Sequence, residues 1–183
     1  MNLQTVYNAA DNTLLVKLPT DRIYPDISEL LGFKPKNEFH ITVIGYKAAK
    51  LIKDTPKGLP TENISYCVAV DEFCEAINKQ AWTGLPEFRG RPNFDMRVIE
   101  KQYNEGTRRS LICMLQSDDP EVEIITKFYH KMEALFPYVK PHLPIPHITI
   151  GVDGDHPGIG LTPHVWDNEL SRNLDVDLRG IRC

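Results

Sequence analysis

Two histidines in this chain sit in the same short context. Phe39-His40-Ile41-Thr42-Val43 and Pro146-His147-Ile148-Thr149-Ile150 share the pattern His-apolar-Thr-apolar, and the two copies lie far apart in the sequence. Imidazole titrates near neutrality, so of two facing rings one can hold a proton while the other lacks it. Paired general base and general acid catalysis requires this, each partner typically contributing about 10²–10⁴-fold. A hydroxyl beside each ring can donate to the non-bridging oxygens of a phosphoryl group, and does so more strongly as charge builds there. Together the four groups suit in-line displacement at phosphorus: one His activates the entering oxygen, and the other protonates the leaving one. No H-E-x-x-H, acidic cluster or Cys/His ligand set accompanies them, so no metal and no other cofactor is expected.

Such chemistry needs a rigid support. Both copies lie in runs with strand character, where side chains two apart share a face. His40 and Thr42 therefore project together while Phe39, Ile41 and Val43 enter a core; His147 and Thr149 project opposite Ile148 and Ile150. Either copy alone reads as an amphipathic strand with a satisfied His. A given His meets this context by chance on the order of 1% of the time, so a matching pair among six histidines is a far stronger signal than one copy.

The rest of the chain is expected to be one domain that brings the copies together. Its 183 residues suffice for an ordinary core, and 42% apolar with 25% charged residues is a globular composition. A formal charge of −4 argues against blanket neutralisation of duplex DNA, though a local basic patch could still meet a small phosphate ligand. Neither a signal peptide nor a membrane-length apolar run is visible, so a cytoplasmic monomer is expected, without membrane partners. Cys67, Cys74, Cys113 and Cys183 have no paired metal spacing and read as reduced thiols.

In chain order, Thr13 to Leu18 reads as a strand, Asp26 to Leu31 as a short helix, and then comes the first His strand. Lys47 to Lys53 reads as a helix, Ile64 to Val70 as a strand, and Asp71 to Gln80 as a short helix. Phe94 to Tyr103 and Arg108 to Gln116 read as a hairpin around Asn104-Glu105-Gly106-Thr107. Asp119-Pro120 opens the clearest helix, whose apolar face runs through Val122, Ile125, Phe128, Met132 and Leu135. A proline-rich lead delivers the second His strand, and Leu174 to Leu178 alternates as a last strand. The order strand, helix, His strand thus occurs twice, which predicts two half-domains sharing a cleft.

The paired motifs, including the proline before the second His, resemble those of the 2H phosphoesterase superfamily. The resemblance is specific at the two motifs and extends through the element order. It implies an α+β, bilobal fold of two antiparallel sheets lining a central cleft, with helices outside. The lobes would be residues 1–70 plus the C-terminal strand, and residues 94–152, within a single domain 1–183. It also implies metal-independent phosphodiester chemistry on a nucleotide or RNA end, with His40 and His147 as the acid/base pair and Thr42 and Thr149 holding the phosphate. The longer spacing between the motifs is ascribed to an insertion at Asp71 to Pro92.

Further substrate contacts are candidates only. Lys17 shares a face with Leu15 on the strand expected beside His40; Tyr46 and Trp166 could stack on a base; Arg109, beside Arg108, could add positive potential. Each has a plain structural alternative as a solvated charge or a rim aromatic. His142 and His156 are read as surface residues, with His156 a lid contact at most. The leading function is hydrolysis of a 2′,3′-cyclic phosphate or a 2′-linked oligonucleotide. The alternatives are RNA 2′,5′-ligation at the same site, a nucleotide-binding module without turnover, or an unrelated α+β protein.

Overall fold

The two motif strands are neighbours at the centre of one antiparallel sheet. The computed structural model describes residues 2–8, 10–19, 32–55, 64–83, 95–156 and 158–163. The expected helix at Asp26–Leu31, Trp166 and the strand at Leu174–Leu178 fall outside these residues. The strands are β1 (Gln4–Asn8), β2 (Thr13–Lys17), β3 (Lys34–Pro35), β4 (His40–Ile44), β5 (Asp95–Tyr103), β6 (Gly106–Met114) and β7 (His147–Val152). The helices are α1 (Tyr46–Lys53), α2 (Ile64–Asn78) and α3 (Pro120–Leu135), followed by a 3₁₀ helix at Pro137–His142.

The sheet runs β1-β2-β4-β7-β6-β5, with the short β3 paired to the far end of β7. Each half begins as a hairpin that local sequence dictates. Between β1 and β2, Asn12 takes φ 59, a left-handed conformation that Asn tolerates, and Asp11 accepts from both the amide and the hydroxyl of Thr13. Between β5 and β6, Gly106 supplies the positive φ that the turn requires.

Alternation then sorts the two faces. Leu14, Val16, Ile41, Val43, Leu111, Cys113, Ile148 and Ile150 are all buried in the main core. α2 and α3 share that core, with Phe73 stacked 4.8 Å from Phe128 and Tyr66 edge-on to Phe136 at 5.9 Å. His40, Thr42, His147 and Thr149, one residue out of phase, project from the opposite face. A smaller apolar cluster of Ile99, Ile112, Ile159 and Leu161 lies apart from the main core.

Two expectations are corrected. Ile64 to Val70 is the first half of α2, not a strand: Tyr66, Ala69, Val70, Phe73 and Ile77 recur at helical spacing and are buried, and the helix continues through Asp71 without a break. The two sheets expected are also one. β4 and β7 pair at Ile41↔Ile148, both fully buried, and β3 adds two further pairs to β7, which leaves no open edge at the centre of the sheet. Two short strands absent from the sequence reading, β1 and β3, complete the sheet.

Candidate active site

The pair that joins β4 to β7 consists of the central residues of the two motifs. Continuing this antiparallel register by one residue each way sets His40 opposite Thr149 and Thr42 opposite His147. The imidazoles thus occupy one diagonal of a four-residue patch and the hydroxyls the other. Outer strands frame the patch. Lys17 pairs with His40 and Leu15 with Thr42; Ile112 pairs with Thr149 and Met114 with His147.

His147 is buried, at 6% exposure. Its Nδ1 lies 2.6 Å from the carbonyl oxygen of Ile145; a carbonyl can only accept, so Nδ1 carries the proton and Nε2 is left with a lone pair. Burial lowers its proton affinity most; the Ile145 carbonyl opposes this, and the charge of His40 lowers it further. The two rings therefore interact electrostatically. His40 is less buried. Its proton affinity is also lowered, first by desolvation and then by Lys36, with Glu38 pulling the other way and Lys17 adding to the depression.

His40 opens onto a groove of about 560 Å³ lined by Lys34, Lys36, Glu38, Val152, Asp155 and His156 among others. Lys34 is ion-paired to Asp155 across it, and Lys17 lies 3.5 Å from Glu38 at its rim. A second groove, of about 450 Å³, runs between α2 and α3 and holds none of the motif residues.

The secondary candidates separate. Lys17 stands beside His40 as expected from its strand. Tyr46 is 69% exposed at the start of α1, one residue after Gly45, which packs near Thr42. Arg109 is turned to Asp153, its Nε 2.9 Å from the carboxylate, with its guanidinium 5.8 Å from the Phe33 ring centroid. His142 lies half-buried in the 3₁₀ helix. The surface reading of His156 is corrected: its side chain is 9% exposed, and both ring nitrogens are bonded, to Asp153 at 3.0 Å and to the Gly158 amide at 3.2 Å. The Asp153/His156 spacing of three residues was the available signal, masked by the turn-forming residues around it. The Ile145 carbonyl carried no signal at all, because any residue type supplies one.

Among the described residues, no group of three or more His, Cys, Asp or Glu side chains is placed to hold a metal ion. No helix among them is long and apolar enough to cross a membrane. Comparison of the chain with protein-family models, curated sequences and solved structures finds no match.

Proposed function

We propose that this protein is a metal-independent phosphodiesterase of the 2H phosphoesterase type, hydrolysing 2′,3′-cyclic phosphates or 2′-linked (2′,5′ or cyclic) oligonucleotides. The observation that carries the proposal is the Ile41↔Ile148 pair, which gathers two distant copies of one motif onto a single face. In this reading the β1-β2-β4 and β7-β6-β5 halves of the sheet are the two lobes of a single bilobal domain, acting as a cytoplasmic monomer on a nucleotide or RNA end rather than on duplex DNA.

His147 is the base of hydrolysis. Its Nε2 lone pair takes a proton from water as the water oxygen bonds to phosphorus. His40, the ring more open to solvent, gives its proton to the ribose oxygen as the P–O bond breaks. Thr42 and Thr149 donate to the non-bridging oxygens, where charge accumulates in the transition state.

The test is a panel of 2′,3′-cyclic nucleotides and 2′,5′-linked oligonucleotides incubated in EDTA, with products resolved by mass. Monophosphate release is expected, and His147→Ala should reduce it by about 10²-fold or more while the far-ultraviolet circular dichroism stays native. A full-strength His147→Ala protein would overturn the assignment. Tight binding without product would point instead to a nucleotide-binding module.

A further inference from the structure

Past the end of β7, a run of hydrogen bonds links Asp153, His156, Gly158 and Ile159 to one another and to β6. Asp153 is gripped by β6: Oδ1 accepts the Arg109 amide at 2.8 Å, Oδ2 accepts Arg109 Nε at 2.9 Å, and the Asp153 amide donates to the Arg109 carbonyl at 3.2 Å. Burial alone would raise the Asp153 carboxyl, but the Arg109 amide and guanidinium, with His156, hold it below the usual carboxylate range. Its Oδ1 also faces His156 Nε2, so that nitrogen carries the proton and donates. Nδ1 is then free to accept from the Gly158 amide. Only the neutral ring with its proton on Nε2 satisfies both bonds.

The far end of this run lies on the site. A methyl group built on Gly158 would stand 3.5 Å from Thr149 Oγ1 and 3.4 Å from its Cγ2, and Gly158 has φ +107, a conformation that L side chains rarely adopt. The next residue is pinned as well. The Ile159 amide donates to buried Ser110 Oγ at 3.2 Å, and Ile159 packs with Ile112, the cross-strand neighbour of Thr149. The backbone at Gly158 therefore forms one wall around the Thr149 hydroxyl, and its bareness keeps space open in front of that hydroxyl.

We propose that Arg109, Asp153, His156 and Gly158 are positioning residues that fix the Thr149 side chain for the phosphoryl oxygens, an inference that rests on the phosphodiesterase reading for its catalytic consequence. Arg109 thus serves the site through the loop and not by touching substrate. His156 acts in this arrangement through its two hydrogen bonds, to Asp153 and to the Gly158 amide.

The ring can be divided chemically. His156→Asn keeps an oxygen where Nδ1 stands and so keeps the bond to the amide two residues on, as in an Asx turn, while losing Asp153. His156→Gln keeps a donor for Asp153 and loses the acceptor for Gly158. In the full chain, the ¹³C-methyl resonance of Thr149 should stay near its wild-type position in His156→Asn and move in His156→Gln. With substrate, His156→Gln should lower kcat by about tenfold, a fraction of the roughly 10²–10³-fold lost when an oxyanion donor is removed outright. KM should stay within twofold, and His156→Asn should recover most of the rate. An unmoved Thr149 methyl in His156→Gln, or equal kcat in the two variants, would overturn the proposal. If the wild-type chain turned over none of the panel, the phosphodiesterase reading would fall, and the methyl resonances would still decide whether the loop fixes Thr149.

Discussion

At the scale of single residues, His147 binds a proton less readily in the fold than in water, chiefly because it is buried, and His40 does so for the same reason. The unfolded chain, whose imidazoles titrate near about 6.5, therefore takes up protons first as pH falls. Where the unfolded state binds more protons, stability rises with pH. The contribution of these two rings is thus complete above about 6.5 and is lost as pH drops from there toward the depressed folded values. Asp11 and Asp153 are also lowered in the fold, but their stability is lost only as pH falls below the unfolded carboxylate value of about 3.9, so the loss that begins at about 6.5 comes from the imidazoles. The melting temperature should accordingly decline between about pH 6.5 and 5, and a His40→Gln/His147→Gln double variant should show a shallower decline. Calorimetry across that range checks this, and parallel curves would contradict it. The motif residues were legible in the sequence because each copy repeats the other; the proton affinities were not, because burial and the Ile145 carbonyl belong to the fold.

At the scale of elements, legibility followed the strength of the periodic signal. β4, β7, the β5/β6 hairpin and α3 were visible because apolar period, turn glycine or an N-terminal proline marked them. α2 was split, since Ile64 to Val70 is rich in β-branched and aromatic residues and Ile64 and Val68 stay exposed, which blurs the helical stripe. β1 was missed because an edge strand with one half-buried face carries little apolar pattern. α2 and α3 support the sheet from the face away from the histidines, and Phe73 of α2 packs on Phe128 of α3 with ring centroids 4.8 Å apart. Phe73→Ala should cost about 3–5 kcal/mol in urea unfolding. Its kcat, measured per folded molecule, should stay within twofold of wild type. A rate that fell with the stability would show that the helices shape the site directly.

At the scale of the whole molecule, the two motif strands share very little backbone pairing with each other. β2 and β4 pair over four residue pairs and β6 and β7 over five, while β4 and β7 share only Ile41↔Ile148. This seam was outside the reach of sequence, because the repeat of strand, helix and His strand fits two sheets facing each other as well as one sheet joined at its centre. Only the register decides, and register is set by which buried residues meet. Ile41 and Ile148 are fully buried, so they anchor the core and align the motifs at once. Ile41→Ala should therefore cost about 2–5 kcal/mol, comparable with Phe73→Ala. The catalytic consequence should differ, because among the described residues Ile41↔Ile148 is the single β4–β7 rung, while the β3 pairs at Gly151 and Val152 and the Lys36 amide bond to the Ile150 carbonyl hold the other end of β7, so the alignment of the two motifs falls to that one pair. At a temperature where both variants are folded, Ile41→Ala should lose about tenfold or more in kcat, an effect in the range produced by small displacements of reacting groups. Phe73→Ala should lose almost nothing. Equal rates in two equally destabilised variants would mean that alignment comes from elsewhere in the fold; a rate lost only at the seam would place the catalytic geometry in that single residue pair.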